Sequence, residues 1–142
     1  MIKIKRYDAI CADIVATIEG LEGYVRVVYE NQATKKLGDR VGVQLVAVVP
    51  SASRTGANGR GVDNNVAYFF IMKKPSSDAN NTNELNDQEQ TQDITLAIRD
   101  YVEEKQESGC ADFSRMDTST VNIDPEFNAF GGWNGWSLTF IF

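Results

Sequence analysis

The sequence predicts a single α+β domain over residues 1–142, with a mostly antiparallel sheet of about five strands, two helices packed on one face and a long hairpin tip. Three observations predict this class. Two segments repeat apolar residues at helical spacing, and several runs are rich in β-branched and aromatic residues. A chain of 142 residues is also long enough for about one domain with its own core.

The first helix is predicted from about Asp8 to Glu19, because isoleucines recur at every fourth position beginning at Ile10. Asp8 is suited to be its N-cap. The preceding segment, Ile2–Lys5, alternates isoleucine with lysine, which allows a short strand or an extended arm.

Three strands are predicted next. Tyr24–Glu30 and Val66–Met72 are rich in β-branched and aromatic residues, and Val41–Val49 is almost continuously apolar. Such continuous apolarity is typical of a central strand that is covered on both faces. We expect Asn31–Arg40 to be a polar link and Pro50 to end the second strand.

Ser51–Asn65 has three glycines, two arginines and almost nothing to bury, so we predict a flexible tip between the second and third strands. A phosphate-binding loop is disfavoured, because no Lys-Ser/Thr pair and no helix start follow the glycines. Loop tips often carry binding residues, and arginine pairs well with carboxylate or phosphate. The candidate protein-contact residues of this tip are Arg54, Gly56, Asn58 and Arg60.

The second half of the chain predicts one helix and two strands. A polar linker is expected over Pro75–Asn86, followed by a helix that reaches about Glu107. A strand is then expected over Thr118–Asp124, and Pro125–Gly132 is expected to be the turn before the last strand.

The last strand has one strongly apolar face, because every second residue from Trp136 to Phe142 is apolar. Its side chains must be buried in the chain's own sheet or against another subunit. Trp133, at the mouth of the preceding turn, suits the core and an interface equally. Trp133, Trp136 and Phe142 therefore join the candidate protein-contact residues.

The charge of the chain is uneven. The net charge is −6, with +3 on residues 1–73, −6 on residues 74–110 and −3 on residues 111–142. This asymmetry suits a head-to-tail ring, in which a basic surface meets an acidic one, although an acidic solvated face of the second helix is the simpler explanation. Specific nucleic-acid binding is disfavoured, because dedicated binders usually have a basic excess.

Catalysis is not expected from this composition. The chain has no histidine, which excludes Ser-His-Asp and Cys-His hydrolases. Four carboxylates near one end of the predicted sheet, Asp112, Asp117, Asp124 and Glu126, lie among turn formers that favour a structural role. The two cysteines lack metal-ligand spacing. We predict no enzymatic activity, no cofactor, no metal site and no membrane segment, and an enzyme that uses carboxylates alone is the weakest alternative.

The element order and the segment Asp124-Pro-Glu-Phe-Asn-Ala-Phe-Gly-Gly-Trp-Asn-Gly-Trp-Ser-Leu-Thr-Phe resemble the small neck and tail-completion proteins of tailed phages and prophages, the tail-terminator group. The resemblance covers nearly the whole chain in element order, and its sequence-specific part is the C-terminal segment.

That resemblance implies a structural virion protein, assembled in the bacterial cytoplasm as a homo-oligomeric ring, a hexamer or a dodecamer. The ring would lie at the head–tail neck or the end of the tail tube and act as an adaptor between connector and tube. DNA would pass through it without specific binding. The alternative is a bacterial protein-binding module without catalytic activity.

Overall fold

The computed structural model describes residues 1–56, 61–77 and 80–142. Within these ranges the chain forms three helices and five strands. In chain order they are α1 (Ile4–Thr17), β1 (Leu21–Val27), α2 (Glu30–Leu37), β2 (Val43–Thr55), β3 (Val62–Lys73), α3 (Asn81–Glu107), β4 (Asp117–Ala129) and β5 (Trp133–Ile141).

The five strands form one mixed sheet in the order β1-β2-β3-β5-β4. The β1–β2 pair is parallel, and the other neighbouring pairs are antiparallel. The parallel pair arises because α2 carries the chain from the end of β1 back to the start of β2. The predicted α+β class and the strand number are confirmed, and the sheet departs from the prediction in this one parallel pair.

The two faces of the sheet are covered unequally. α1 and α3 pack on one side, here named the covered face, where Ile14, Phe69 and Ile98 belong to the main core. α2 packs on the opposite side, here named the second face, with Ala33 and Leu37 in a smaller core. The two predicted helices therefore share one face, and α2 is an additional helix on the other.

The expectation of a polar link over Asn31–Arg40 was wrong, because most of that segment belongs to α2. Only Ala33 and Leu37, one helical turn apart, are buried. A stripe of two residues on an otherwise polar helix gives too weak a periodic signal to be recognised in the sequence.

The start of α1 also differs from the prediction. The helix begins at Ile4, its N-cap is Lys3 without a side-chain cap bond, and the expected strand or arm over Ile2–Lys5 is absent from the described fold. Tyr7 is buried and extends the apolar stripe by one turn, which favours helix before Asp8. Asp8 therefore lies inside the helix and is not its N-cap, and its carboxylate pairs with Arg26 across the helix–sheet boundary.

The hairpin between β2 and β3 contains more strand than predicted. β2 continues through Pro50 to Thr55 and β3 begins at Val62, so most of Ser51–Asn65, which was predicted to be a flexible tip, belongs to these two strands. Proline is tolerated here, since the β1–β2 pairing ends at Val48 and the β2 register with β3 shifts between Val48 and Ser51.

Two boundaries in the second half were also wrong. α3 begins at Asn81, within the expected linker over Pro75–Asn86, because the Asn80 side chain accepts a bond from the Asn83 backbone N–H at 2.9 Å. β4 continues to Ala129, so strand includes much of the expected turn over Pro125–Gly132. Proline is compatible with β4 because this strand lies at the edge of the sheet.

Candidate assembly surface

Part of the second face lies outside the buried core beneath α2. α2 covers the part built from Val25, Val27, Val46 and Met72. The apolar residues of this face that are not fully buried in that core, here named the open face, are Val48, Val66, Tyr68, Phe70 and Ile141. Val48 and Phe70 pack against the margin of the core. The open-face residues share one side of the sheet, because Val48 lies opposite Tyr68 and Val66 lies opposite Ile141, and side chains alternate along each strand.

Exposure differs along the open face. Tyr68 is 43 % exposed, and the other four residues are half-buried. Phe70 makes an edge-on contact with Phe130, with 5.1 Å between ring centroids. The open face is therefore apolar surface in the isolated chain that a partner could cover.

A pocket of about 300 Å³ lies at the edge of the open face. Its lining includes apolar side chains from the end of β1, from β2 and β3 and from the β4–β5 turn, together with the carboxylates Glu30 and Glu126. The apolar lining residues are Val27, Val28, Tyr29, Val48, Phe70, Ala129 and Phe130. This site, here named the open-face pocket, combines an apolar floor with an acidic rim.

The acidic side chains beside the open face contrast with those at the margin of the covered face. Glu30, Asp124 and Glu126 make no ion pair within the ranges that the structure describes. On the covered side, Asp8 pairs with Arg26 and Asp112 with Arg6. The rim of the open-face pocket therefore offers uncompensated negative charge to a partner.

The β2–β3 hairpin extends beyond its neighbouring strands and carries part of the predicted tip. Arg54 is exposed, and its guanidinium lies 3.9 Å from the Asp63 carboxylate. The N-terminal ammonium hydrogen-bonds to the same carboxylate and holds the pKa of Asp63 below its ordinary value. Gly56 has a φ of 115°, a backbone conformation that favours glycine. The other two predicted contact residues, Asn58 and Arg60, lie outside the described residues.

The last residue is tied into the sheet. Asn65 and Phe142 exchange two backbone hydrogen bonds, and the Asn65 side-chain amide donates to the Phe142 carbonyl at 3.0 Å. The Phe142 ring packs against Phe113 and Phe140 in the covered-face core. Of the two alternatives for this apolar end, the structure shows burial in the chain's own sheet.

The two tryptophans lie on opposite faces of β5. Trp133 is 2 % exposed and belongs to the core beneath α2, so the core alternative holds for it. Trp136 is half-buried, and its indole N–H donates to the Gln88 carbonyl of α3 at 3.1 Å. Neither ring offers a partner as much surface as Tyr68 does.

A second cavity, of about 450 Å³, lies between the first half of α3 and the β4–β5 turn. Phe127, which is 79 % exposed, stands at its mouth. Lys73, Asp87 and Gln90 beside it are already joined, since the Lys73 ammonium donates to Asp87 at 2.6 Å and to Gln90 at 2.8 Å. This groove offers one large exposed ring on a polar wall.

The four carboxylates considered for acid–base chemistry do not converge. Asp112 is held by Arg6, whose Nε lies 2.9 Å from both carboxylate oxygens, and this bond lowers the pKa of Asp112. Asp117 accepts bonds from Ser119, which lower its pKa. Asp124 and Glu126 flank Pro125 on β4. Each carboxylate therefore has its own local surroundings.

The two cysteines were also considered as reactive or metal-binding residues. Burial raises the pKa of the Cys11 thiol to about 12, whereas Cys110 is half-buried near Asp112. In the described part of the chain, no group of three or more acidic or cysteine side chains is arranged to hold a metal ion. Among the same residues, no helix is long and apolar enough to cross a membrane.

The sequence did not reveal the open face. In the sequence, β3 has apolar residues on both of its sides, and that pattern predicts a strand that is covered on both faces. The available signal was indirect: after α1 and α3 are placed on one face, only one short polar segment is left to cover the other. Eight residues of helix span only about 12 Å, which is too short to cover a sheet of five strands.

Comparison with known proteins gives no match: no family profile, no curated protein and no solved structure is similar to this chain.

Proposed function

We propose that this chain is a structural subunit of a tailed phage or prophage, which forms a ring at the head–tail neck or tail-tube end. It joins connector and tube as a non-catalytic adaptor of the virion. The observation that carries the proposal is the open face, since one face of the sheet has a finished core and the other keeps apolar side chains outside its smaller core. The family resemblance of the C-terminal segment supplies the phage context.

The physical support begins with the apolar surface. A contiguous apolar patch on a sheet face commonly marks a site of protein association. Val48, Tyr68 and Phe70 form such a patch, and the surrounding strands are rigidly paired, so little ordering is needed before contact. Rigid surfaces of this kind suit a structural subunit.

The charge distribution supports contact between unlike surfaces of identical copies. α3 carries eight acidic and two basic residues, whereas the N-terminal residues 1–73 have a net charge of +3. Unlike charges attract in a head-to-tail arrangement, and such an arrangement closes into a ring when the rotation permits. An acidic or neutral lining of the central channel would let DNA slide, because each cationic phosphate contact raises affinity.

The deciding experiment is imaging of the purified protein. We expect light scattering to detect a discrete species of several copies, and negative-stain electron microscopy to show rings with a central hole. Adding tail-tube or connector subunits should increase the ring fraction if a neighbour nucleates assembly. A two-fold dimer, or a chain that stays monomeric at high concentration and beside those subunits, would contradict the proposal.

A bacterial protein-binding module is the second candidate. The groove beside Phe127 favours it, because an exposed aromatic ring in a cleft is a common anchor point for a peptide partner. Phe127→Ala separates the two candidates. It should abolish partner binding by such a module, whereas ring formation through the open face should persist.

A further inference from the structure

The lining of the open-face pocket specifies the chemistry of its occupant. Seven apolar residues form its walls, and its two charged groups, Glu30 and Glu126, are both acidic. Neither carboxylate has an ion-pair partner in the described ranges. A matching occupant has an apolar side chain for the walls and cationic groups on either side for the rim.

The chain itself presents one segment of that kind. Its exposed large apolar side chains, within the described residues, are Met1, Ile4, Val28, Tyr29, Val41, Val62, Tyr68, Leu85 and Phe127. Of these, Ile4 alone has a basic residue on each side, Lys3 and Lys5. Ile4 is 46 % exposed, and both lysines are exposed and outside every ion pair of the described part.

The position of this segment decides how copies can meet. Lys3–Ile4–Lys5 lies at the start of α1, and α1 packs on the covered face, whereas the pocket lies on the second face. The two surfaces of one chain are thus on opposite sides of the sheet. The segment and the pocket of one chain therefore cannot meet each other. In a two-fold dimer, the segment and the pocket of each copy would both have to face the other copy, which requires them to lie on one side of the chain. A head-to-tail contact uses both surfaces and leaves one of each free for the next copy.

We propose that the Lys3–Ile4–Lys5 segment of one copy docks in the open-face pocket of the next copy. Ile4 contacts the apolar walls, and the two ammonium groups approach Glu30 and Glu126. This inference rests on the proposed ring and assigns its contact surfaces. Because the rim charges are few and partly exposed, they set orientation and register, while the apolar contact supplies most of the affinity.

Charge reversal tests the contact directly. The variant Lys3→Glu with Lys5→Glu, and the variant Glu30→Lys with Glu126→Lys, each place like charges at every junction. We expect each variant alone to assemble at least about tenfold more weakly, an effect of about 1.4 kcal/mol. An equimolar mixture should assemble again, because every alternating junction then pairs opposite charges. Sedimentation velocity of each variant and of the mixture measures this.

Two further variants control for effects of the substitutions on folding and on overall charge. Glu30 lies in the first turn of α2, where an acidic residue favours the helix, so Glu126→Lys alone serves as a variant that leaves α2 unchanged. The matched control for that single change, Lys74→Glu, reverses one exposed lysine outside α2 and outside the pocket lining and should leave assembly unchanged. Carbodiimide cross-linking of the wild-type chain should join Lys3 or Lys5 of one copy to Glu30 or Glu126 of another.

The outcomes separate this inference from the proposed function. Rings that form normally in both reversal variants, or a mixture that fails to recover, would overturn the docking contact and leave the ring proposal standing. A wild-type chain that never forms rings would overturn both. Recovery in the mixture together with the expected cross-link would establish the contact.

Discussion

Phe69 and Phe70 are neighbours in β3, yet they meet opposite environments. Phe69 is 1 % exposed on the covered face, where its ring lies 6.2 Å from that of Tyr7 and 5.8 Å from that of Phe140. Phe70 is half-buried on the second face, where its ring makes an edge-on contact with the ring of Phe130. The covered face is complete within one chain, whereas the second face is complete only beneath α2.

The difference follows from the lengths of the covering helices. α3 has 27 residues and α1 has 14, whereas α2 has 8. At about 1.5 Å per residue, α3 crosses the sheet while α2 reaches only part of it. The uncovered surface is thus a consequence of a short crossover. In a protein with a well-formed core on its other face, such surface is available for assembly at little cost to folding.

The largest expected effect breaks the covered face. Phe69→Ala should lower the free energy of unfolding by about 3–5 kcal/mol, because it removes a buried ring and leaves a cavity. Phe70→Ala is the matched control on the same strand and should cost less than half as much, since part of its surface is already in water. Urea denaturation of both variants measures the difference. Equal losses would show that the second face is as fully packed as the covered one.

The next effect concerns the finished part of the second face. Leu37 is fully buried beneath α2, and Leu37→Ala should cost about 2–4 kcal/mol by the same cavity argument. Thr34→Ala on the exposed side of α2 is the control and should change stability by less than about 0.5 kcal/mol. A loss for Leu37→Ala below about 1 kcal/mol would mean that α2 contributes little to the second-face core.

The sequence predicted the covered face better than the second face. The covered face was predictable, because Ile10 and Ile14 in α1 and Ile94 and Ile98 in α3 repeat at strong helical spacing. Their packing on one face of the sheet was therefore expected and is observed, whereas the sequence left open whether β5 is buried in the chain's own sheet or against another subunit. Local patterns suffice when each covering element is long and amphipathic.

The second face depended on facts that no local pattern contains. α2 has only two buried residues, and β2 passes Pro50 because the neighbouring β1 has already ended. The open face depends on the difference between the sheet's width and the helix's length. Tyr68 and Phe70 look like core residues in the sequence, and only the assembled sheet shows that Tyr68 is exposed and that Phe70 is half-buried at the margin of the α2 core. Trp133 was ambiguous for the same reason.

A smaller effect tests the ion pairs that close the margin of the covered face. The hydrogen bond from Arg6 lowers the pKa of Asp112 from its ordinary value of 3.8. A lowered folded-state pKa means that the carboxylate stabilises the fold above the unfolded-state pKa and loses that contribution as the pH falls through the folded-state value. Asp112→Asn should therefore cost about 1 kcal/mol at pH 7 and progressively less below about pH 4.

The control for this pH dependence is Asp100→Asn, because Asp100 is largely exposed and its ion pair in the described part of the chain is with the adjacent Arg99. Urea unfolding of both variants and the wild type at pH 7 and pH 3 gives the comparison. A cost for Asp112→Asn that is the same at both pH values would show that its charge makes no contribution, and that the covered face is closed by packing alone.

Substitution of Tyr68 should have the smallest effect on folding and a clear effect on assembly. Tyr68→Thr introduces a β-branched residue, which is well suited to a strand, so the free energy of unfolding of the isolated chain should change by less than about 1 kcal/mol. Copy-to-copy affinity should fall about tenfold, because Tyr68 lies beside the pocket residue Val48 and tyrosine is enriched among the residues that carry most of the binding energy of an interface. Tyr68→Phe keeps the ring and should retain assembly. If Tyr68→Thr lowers the free energy of unfolding as much as Phe69→Ala does, the open face is part of the folding core. If Tyr68→Thr changes neither the free energy of unfolding nor self-association, the contact between copies lies on another surface.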